Sequence, residues 1–295
     1  MKWPIVIASC MLAACCAAQE DLRGKVFPIA EAIRQSIDAR LAVSNVVKSL
    51  HRYVDYEANG KVGRFIPNPD FWARGIDFSC ASPWNTYDGQ WRAGTAVSAR
   101  HVVFAHHFPI AVGSDISFVG NDGVIVKRRL TNSVRVGDSD LMVGLLHADL
   151  PQTVKPAYVL PENYQSYIGY GNNLPVVVFD QEEKVLIREI PSVFRGQNVD
   201  QVMRKPSGEL RKRFYEDFVS GDCGDPAFIV VRNGVIILAT VHGITGASPS
   251  VFVLRKGIQR AMDELMPGYR LAEYDFAAHY EGKQHQDTKA VVPKR

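Results

Sequence analysis

PAFIVVRNGVIILATV, residues 226–241, decides the fold class. Two apolar, β-branched runs flank Asn233-Gly234, a dipeptide favoured in tight hairpin turns because both of its residues tolerate positive φ. The same vocabulary extends outward. Upstream, TAVSARHVVFA, DISFVG, GVIVKRRL, LMVGLL, PVVVFD and KVLIREI are separated by Gly, Asn, Asp and Pro clusters; downstream stands VFVL. Many short strands with turn signals between them, and no helix-length pattern interrupting them, predict an all-β barrel or sandwich from about Ile76 onward.

The ends of the chain read differently. Residues 27–56 space their apolar side chains by three and four, which predicts one or two helices. A last helix is expected from Gly257 to Met266, stopped by Pro267-Gly268, with a polar, loose tail after Ala277. No internal repeat is present. The expected organisation is a leader over 1–18, a helical extension over 19–75, a β-rich domain over 76–270 and a tail over 271–295.

The 295 residues suffice for one large domain, and 46% hydrophobic with 22% charged residues is ordinary globular composition. A formal charge of +3 is too small to argue for nucleic acid. The basic cluster Arg204, Lys205, Arg211, Lys212 and Arg213 reads as a solvated loop. MKWPIVIASCMLAACCAAQE has the layout of a secretory signal: a basic residue, a short apolar run, then small residues. Leu12-Ala13-Ala14-Cys15 resembles the bacterial lipobox, which would leave a lipid on Cys15 as the sole membrane attachment. Cleavage after Ala18 would instead release a soluble protein. Either way the expectation is export, to the periplasm, the outer membrane or the medium. After Ala18 only Cys80 and Cys223 remain of five cysteines, and an oxidising compartment invites them to pair.

Three segments of the β-rich region carry groups suited to nucleophilic catalysis. GTAVSARHVVFAHHF (94–108) holds His106 and His107, GDSDLMVGLL (137–146) holds Asp138 and Asp140, and SGDCGDPAF (220–228) holds Cys223. A thiol needs a base to take its proton; imidazole suits, and a carboxylate behind it fixes the tautomer. Gly221 lets the backbone curl so that the N–H groups of Gly221 and Cys223 face one point, where an oxyanion would sit.

The order and flanks of these segments resemble the trypsin-like, chymotrypsin-fold protease family over about residues 76–255. Gly94, Ser98, Val102, Val103, Ala105 and His107 match the segment of its base, Asp140–Leu146 the strand of its acid, and Gly221–Pro226 its Gly-Asp-Ser-Gly-Gly-Pro turn. The resemblance implies two six-stranded antiparallel barrels with a site between them, flanked by the N-terminal helical extension and the C-terminal helix read above from the residues. It implies His107 as base, Asp140 as its acid and Cys223 as nucleophile, with His106 and Asp138 as the outside choices. It also implies an endopeptidase acting on protein or peptide, with no cofactor.

The departures are as informative. Cys223 stands where the family has serine, as in the viral cysteine proteases of this fold, and Asp225 replaces a glycine. No Ile-Val-Gly-Gly start supplies an amine for Asp222, so Asp222 needs another partner. Asp217 occupies the position of a pocket-floor acid, although bulky Phe218 follows it. His242, in ATVHGITG, resembles the pocket histidine of relatives that accept Glu or Gln. No metal site is expected, since neither His-Glu-x-x-His nor paired cysteine spacing occurs. The competing expectation is an inactive homologue that binds peptides or proteins in the envelope.

Overall fold

A computed structural model describes residues 27–55, 65–85, 90–193, 200–232, 234–243 and 246–278. The leader, Cys15 and the end of the tail lie outside them, as does Asn233. No helix among the described residues is long and apolar enough to cross a membrane.

Helices α1 (Pro28–Ala42) and α2 (Val46–Ser49) come first, then a ribbon of β1 (Tyr53–Asp55) and β2 (Ile66–Pro67). Six strands follow: β3 (Ala81–Asn85), β4 (Arg92–Ala96), β5 (His101–Ala105), β6 (Asp115–Val119), β7 (Ile125–Arg135) and β8 (Leu141–Leu146). They pair antiparallel in the order β3-β4-β5-β8-β7-β6 and curl into a nearly closed barrel. Side chains do the closing between its two edges. Trp84 Nε1 and Ser82 Oγ donate to the Ser117 carbonyl at 2.6 and 2.5 Å, and Ser117 N–H donates to Asn85 Oδ1 at 3.0 Å. Sequence reading passed over ASPWN as a strand, because Ser, Pro and Asn are turn residues by propensity; here they satisfy an edge.

The second half holds α3 (Gln165–Ile168), β9 (Leu174–Phe179), β10 (Val185–Ile190), β11 (Asp200–Val202), α4 (Glu209–Lys212), β12 (Pro226–Val231), β13 (Gly234–Thr240), β14 (Ala247–Pro249) and α5 (Val251–Leu265). The expected hairpin is β12–β13, with Val231 opposite Gly234. Here the architecture is coarser than two matching barrels. The strands form a four-stranded antiparallel sheet, β10-β9-β12-β13, and a separate ribbon, β11-β14. Single bridges, Glu189–Arg204 and Ala239–Ser250, tie the ribbon to the sheet edges.

The last helix begins earlier than expected. VFVL, read as a strand, is the first turn of α5, because Ser250 caps it by accepting the Val253 N–H at 3.5 Å. A short apolar run has no period of its own, so the cap decides.

The halves meet across a dry aromatic contact. The rings of Phe78, Phe179 and Phe228 lie 5.2, 5.9 and 6.1 Å apart in edge-on and tilted pairs, all fully buried. Burying a side chain of that size contributes about 1.5–3 kcal/mol each. Helix α1 lies on the same body: Ile29, Ala30 and Ile33 pack with the second sheet, while Ile37 and Leu41 join the core beside Trp72 and Phe214. Arg211 is not the solvated residue its cluster implied. It is buried, with both Asp38 oxygens at 2.7 and 2.9 Å and Glu189 at 2.8 Å. Likewise Tyr274 and Phe276 are buried, beyond the expected domain end.

Candidate functional site

The register of two strands brings His107 and Asp140 together. Antiparallel β5 and β8 pair Ala105 with Leu141, so the next residues, His106 and Asp140, stand opposite each other. The ladder continues through His106 N–H to the Asp140 carbonyl at 3.1 Å. The chain then turns, and the Asp140 carboxylate holds His107 twice. Its Oδ1 accepts the His107 backbone N–H at 2.8 Å, and its Oδ2 meets the ring Nδ1 at 2.6 Å. Fixing Nδ1 in this way leaves Nε2 as the free ring nitrogen. His106 Nδ1 is 4.0 Å from the carboxylate, beyond hydrogen-bond reach, and Asp138 is exposed with no imidazole beside it.

The turn that carries Cys223 is built by a second carboxylate. Asp222 is buried and accepts the backbone N–H groups of Val219 at 2.7 Å and Gln181 at 3.1 Å. Those two amides are the partner its position required. Gly221 and Gly224 have φ of 115° and 94°, in the region that glycine alone enters cheaply. A Cβ at Gly224 would stand 3.3 Å from the Ala93 carbonyl and 3.5 Å from the Ala105 amide. The turn is therefore pressed onto β4 and onto the strand that delivers His107. The N–H groups of Asp222, Gly224 and Asp225 are engaged, by Val219, Val241 and Asp222 respectively. Those of Gly221 and Cys223 have no partner among the described residues.

Cys223 and His107 line one open cleft of about 820 Å³, together with Gly221, Ser220, Gln181, Glu182, His51, Gln90, Trp91 and Phe108. Both described cysteines are free. Cys80 is fully buried, which pushes its thiol well up, while Cys223 is half-buried in the cleft.

Two expected substrate residues are placed elsewhere. Asp217 is exposed and accepts the Tyr215 hydroxyl, and it does not line the cleft. Phe218 is buried beneath the Arg188 guanidinium, 3.4 Å from its ring centre. His242 follows β13 and turns to the acid: its Nδ1 is 3.1 Å from Asp140 Oδ2, and its ring lies 4.7 Å from that of His107 at 30°. One carboxylate oxygen thus serves two imidazoles. His107, Asp140 and His242 each offer a ligand atom within 4.8 Å of the others, a donor set able to hold a metal ion.

Sequence reading also missed a group of buried acids beside the Cys223 turn. Burial pushes Asp180 up to about 7 and Glu183 up to about 9, and raises Asp222 as well. Asp225 is driven far up by burial and by Asp222 and Asp180 nearby. Both Glu183 oxygens and Asp225 Oδ1 lack a hydrogen-bond partner among the described residues. These acids arise from the β9–β10 turn and the 220–225 turn, and only the fold makes them neighbours. No protein-family model matches the chain, and no curated protein matches its sequence.

Proposed function

We propose that the chain is an exported endopeptidase of trypsin-like architecture with a cysteine nucleophile. The observation that carries this reading is the double hold of Asp140 on His107, in a cleft that His107 shares with Cys223. In the proposed reaction, His107 Nε2 takes the Cys223 proton as sulfur bonds to the carbonyl carbon of a peptide. The negative oxygen is stabilised by the Gly221 and Cys223 N–H groups, whose freedom supports that role. Collapse breaks the C–N bond, and the amine leaves with the proton held by His107. Water, deprotonated by the same nitrogen, then hydrolyses the thioester and restores the thiol. In this reading the four-stranded sheet and its ribbon are the open counterpart of the first barrel. Substrate selectivity would come from the cleft beside Trp91, Phe108 and Gln181 and not from Asp217.

The test pairs casein or quenched-peptide cleavage with iodoacetamide labelling of Cys223. The parent chain should cleave and label rapidly near neutral pH, and Cys223→Ala should do neither. Cleavage by Cys223→Ala at the parental rate would refute the assignment. A second reading, a non-catalytic peptide binder in the envelope, draws support from the filled space at Phe218 and Arg188. It predicts labelling no faster than a free cysteine and peptide binding without turnover.

A further inference from the structure

We propose that His107, Asp140 and His242 form a binding site for a divalent transition ion of the zinc class, and that this ion switches the site off. Two imidazole nitrogens and one carboxylate oxygen are the donor set such borderline ions take. The three donors already lie within 4.8 Å of one another. Asp140 Oδ2 lies 2.6 Å from His107 Nδ1 and 3.1 Å from His242 Nδ1. Bonds of 2.0–2.1 Å at tetrahedral angles need donors about 3.3 Å apart, so the His242–Asp140 pair fits as it stands, and the His107 ring must swing outward from Asp140 to open its 2.6 Å contact. Both rings have room to move, with side chains 41% and 47% exposed. The acid is pre-oriented, because the His107 backbone N–H holds Oδ1 and leaves Oδ2 for the ion. The exposed side of the rings leaves the remaining position to water.

The consequence follows from tautomers. A nitrogen that binds a metal ion gives its lone pair to the ion and cannot carry a proton. Each neutral imidazole therefore moves its proton from Nδ1 to Nε2 when the ion enters. His107 Nε2 then bears a hydrogen and has no lone pair for the Cys223 proton. Inhibition in this form rests on the proposed peptidase reading; ion binding itself does not.

The experiment separates the two. The full chain carrying Cys223→Ala is titrated with Co²⁺, followed by its visible absorption, and then with Zn²⁺ by calorimetry. The expected result is one ion per chain, with Zn²⁺ displacing Co²⁺. His242→Gln and His242→Ala, each checked for folding by circular dichroism, should weaken binding by more than about 100-fold, beyond what losing a supporting hydrogen bond costs. No one-to-one binding by the Cys223→Ala chain, or equal affinity in a folded His242 variant, overturns the site. In the parent chain Zn²⁺ should slow cleavage and a chelator should restore it. Binding without an effect on a measurable cleavage rate overturns the switch. Should the parent chain cleave nothing, the peptidase reading fails while the Co²⁺ titration still decides the site.

Discussion

Glu183→Gln makes the buried acids beside the Cys223 turn measurable. Glu183 is 1% exposed, neither of its oxygens has a partner among the described residues, and burial raises it from 4.5 to about 9. Between those values the folded chain keeps a proton that the unfolded chain has released. The unfolded state then binds fewer protons, so stability falls as pH rises. The contribution is fully present below about pH 4.5 and is lost progressively up to about pH 9. A rise of that size corresponds to about 6 kcal/mol, a large part of the roughly 5–15 kcal/mol that holds a domain folded. Glutamine has the same shape and cannot ionise. The variant should match the parent at pH 4.5 and exceed it by several kcal/mol at pH 9. It should retain part of the slope, from Asp180, which burial raises to about 7, and from Asp222 and Asp225, which burial raises as well. Urea unfolding followed by tryptophan fluorescence at pH 4.5, 7 and 9 measures this directly. Parallel stability curves for the two chains, or a variant weaker at pH 9, would refute the reasoning.

Other outcomes follow from the same geometry. Asp140→Asn replaces an oxygen that meets two Nδ1 atoms, so the favoured His107 tautomer is lost; kcat should fall by about 10³–10⁴ with little change in melting temperature. Gly221→Ala forces a side chain into φ of 115° and against the Gln181 side-chain amide, so on the peptidase reading cleavage should drop by at least about 10²-fold in a steady-state assay. Asp217→Asn touches an exposed acid outside the cleft and should leave kcat/KM for Lys, Arg and neutral P1 peptides within about twofold. Phe78→Ala opens the aromatic contact between the halves and should cost about 3–5 kcal/mol by denaturant unfolding.

Much of this was legible because it is local. Runs such as PVVVFD and GVIILATV carry their own period and turn residues, so most strands, and the β12–β13 hairpin, could be placed without coordinates. The pairing of His107 with Asp140 was legible only through a family resemblance, since nothing local links residues so far apart; the structure supplies the reason in the Ala105–Leu141 register. ASPWN and VFVL were misjudged because a Trp–Ser–Asn edge and a serine cap outweigh propensity.

By itself, then, the sequence determined the β-rich core, its flanking helices and the glycines that shape the Cys223 turn, because strand period and backbone freedom are properties of neighbouring residues. The tertiary structure alone decided that His242 turns to Asp140, that Asp222 is held by the Gln181 amide, and that Glu183 and Asp225 are buried near Asp180. Each of these depends on distance and burial between segments far apart in the chain, and charge and hydrogen bonding act through space.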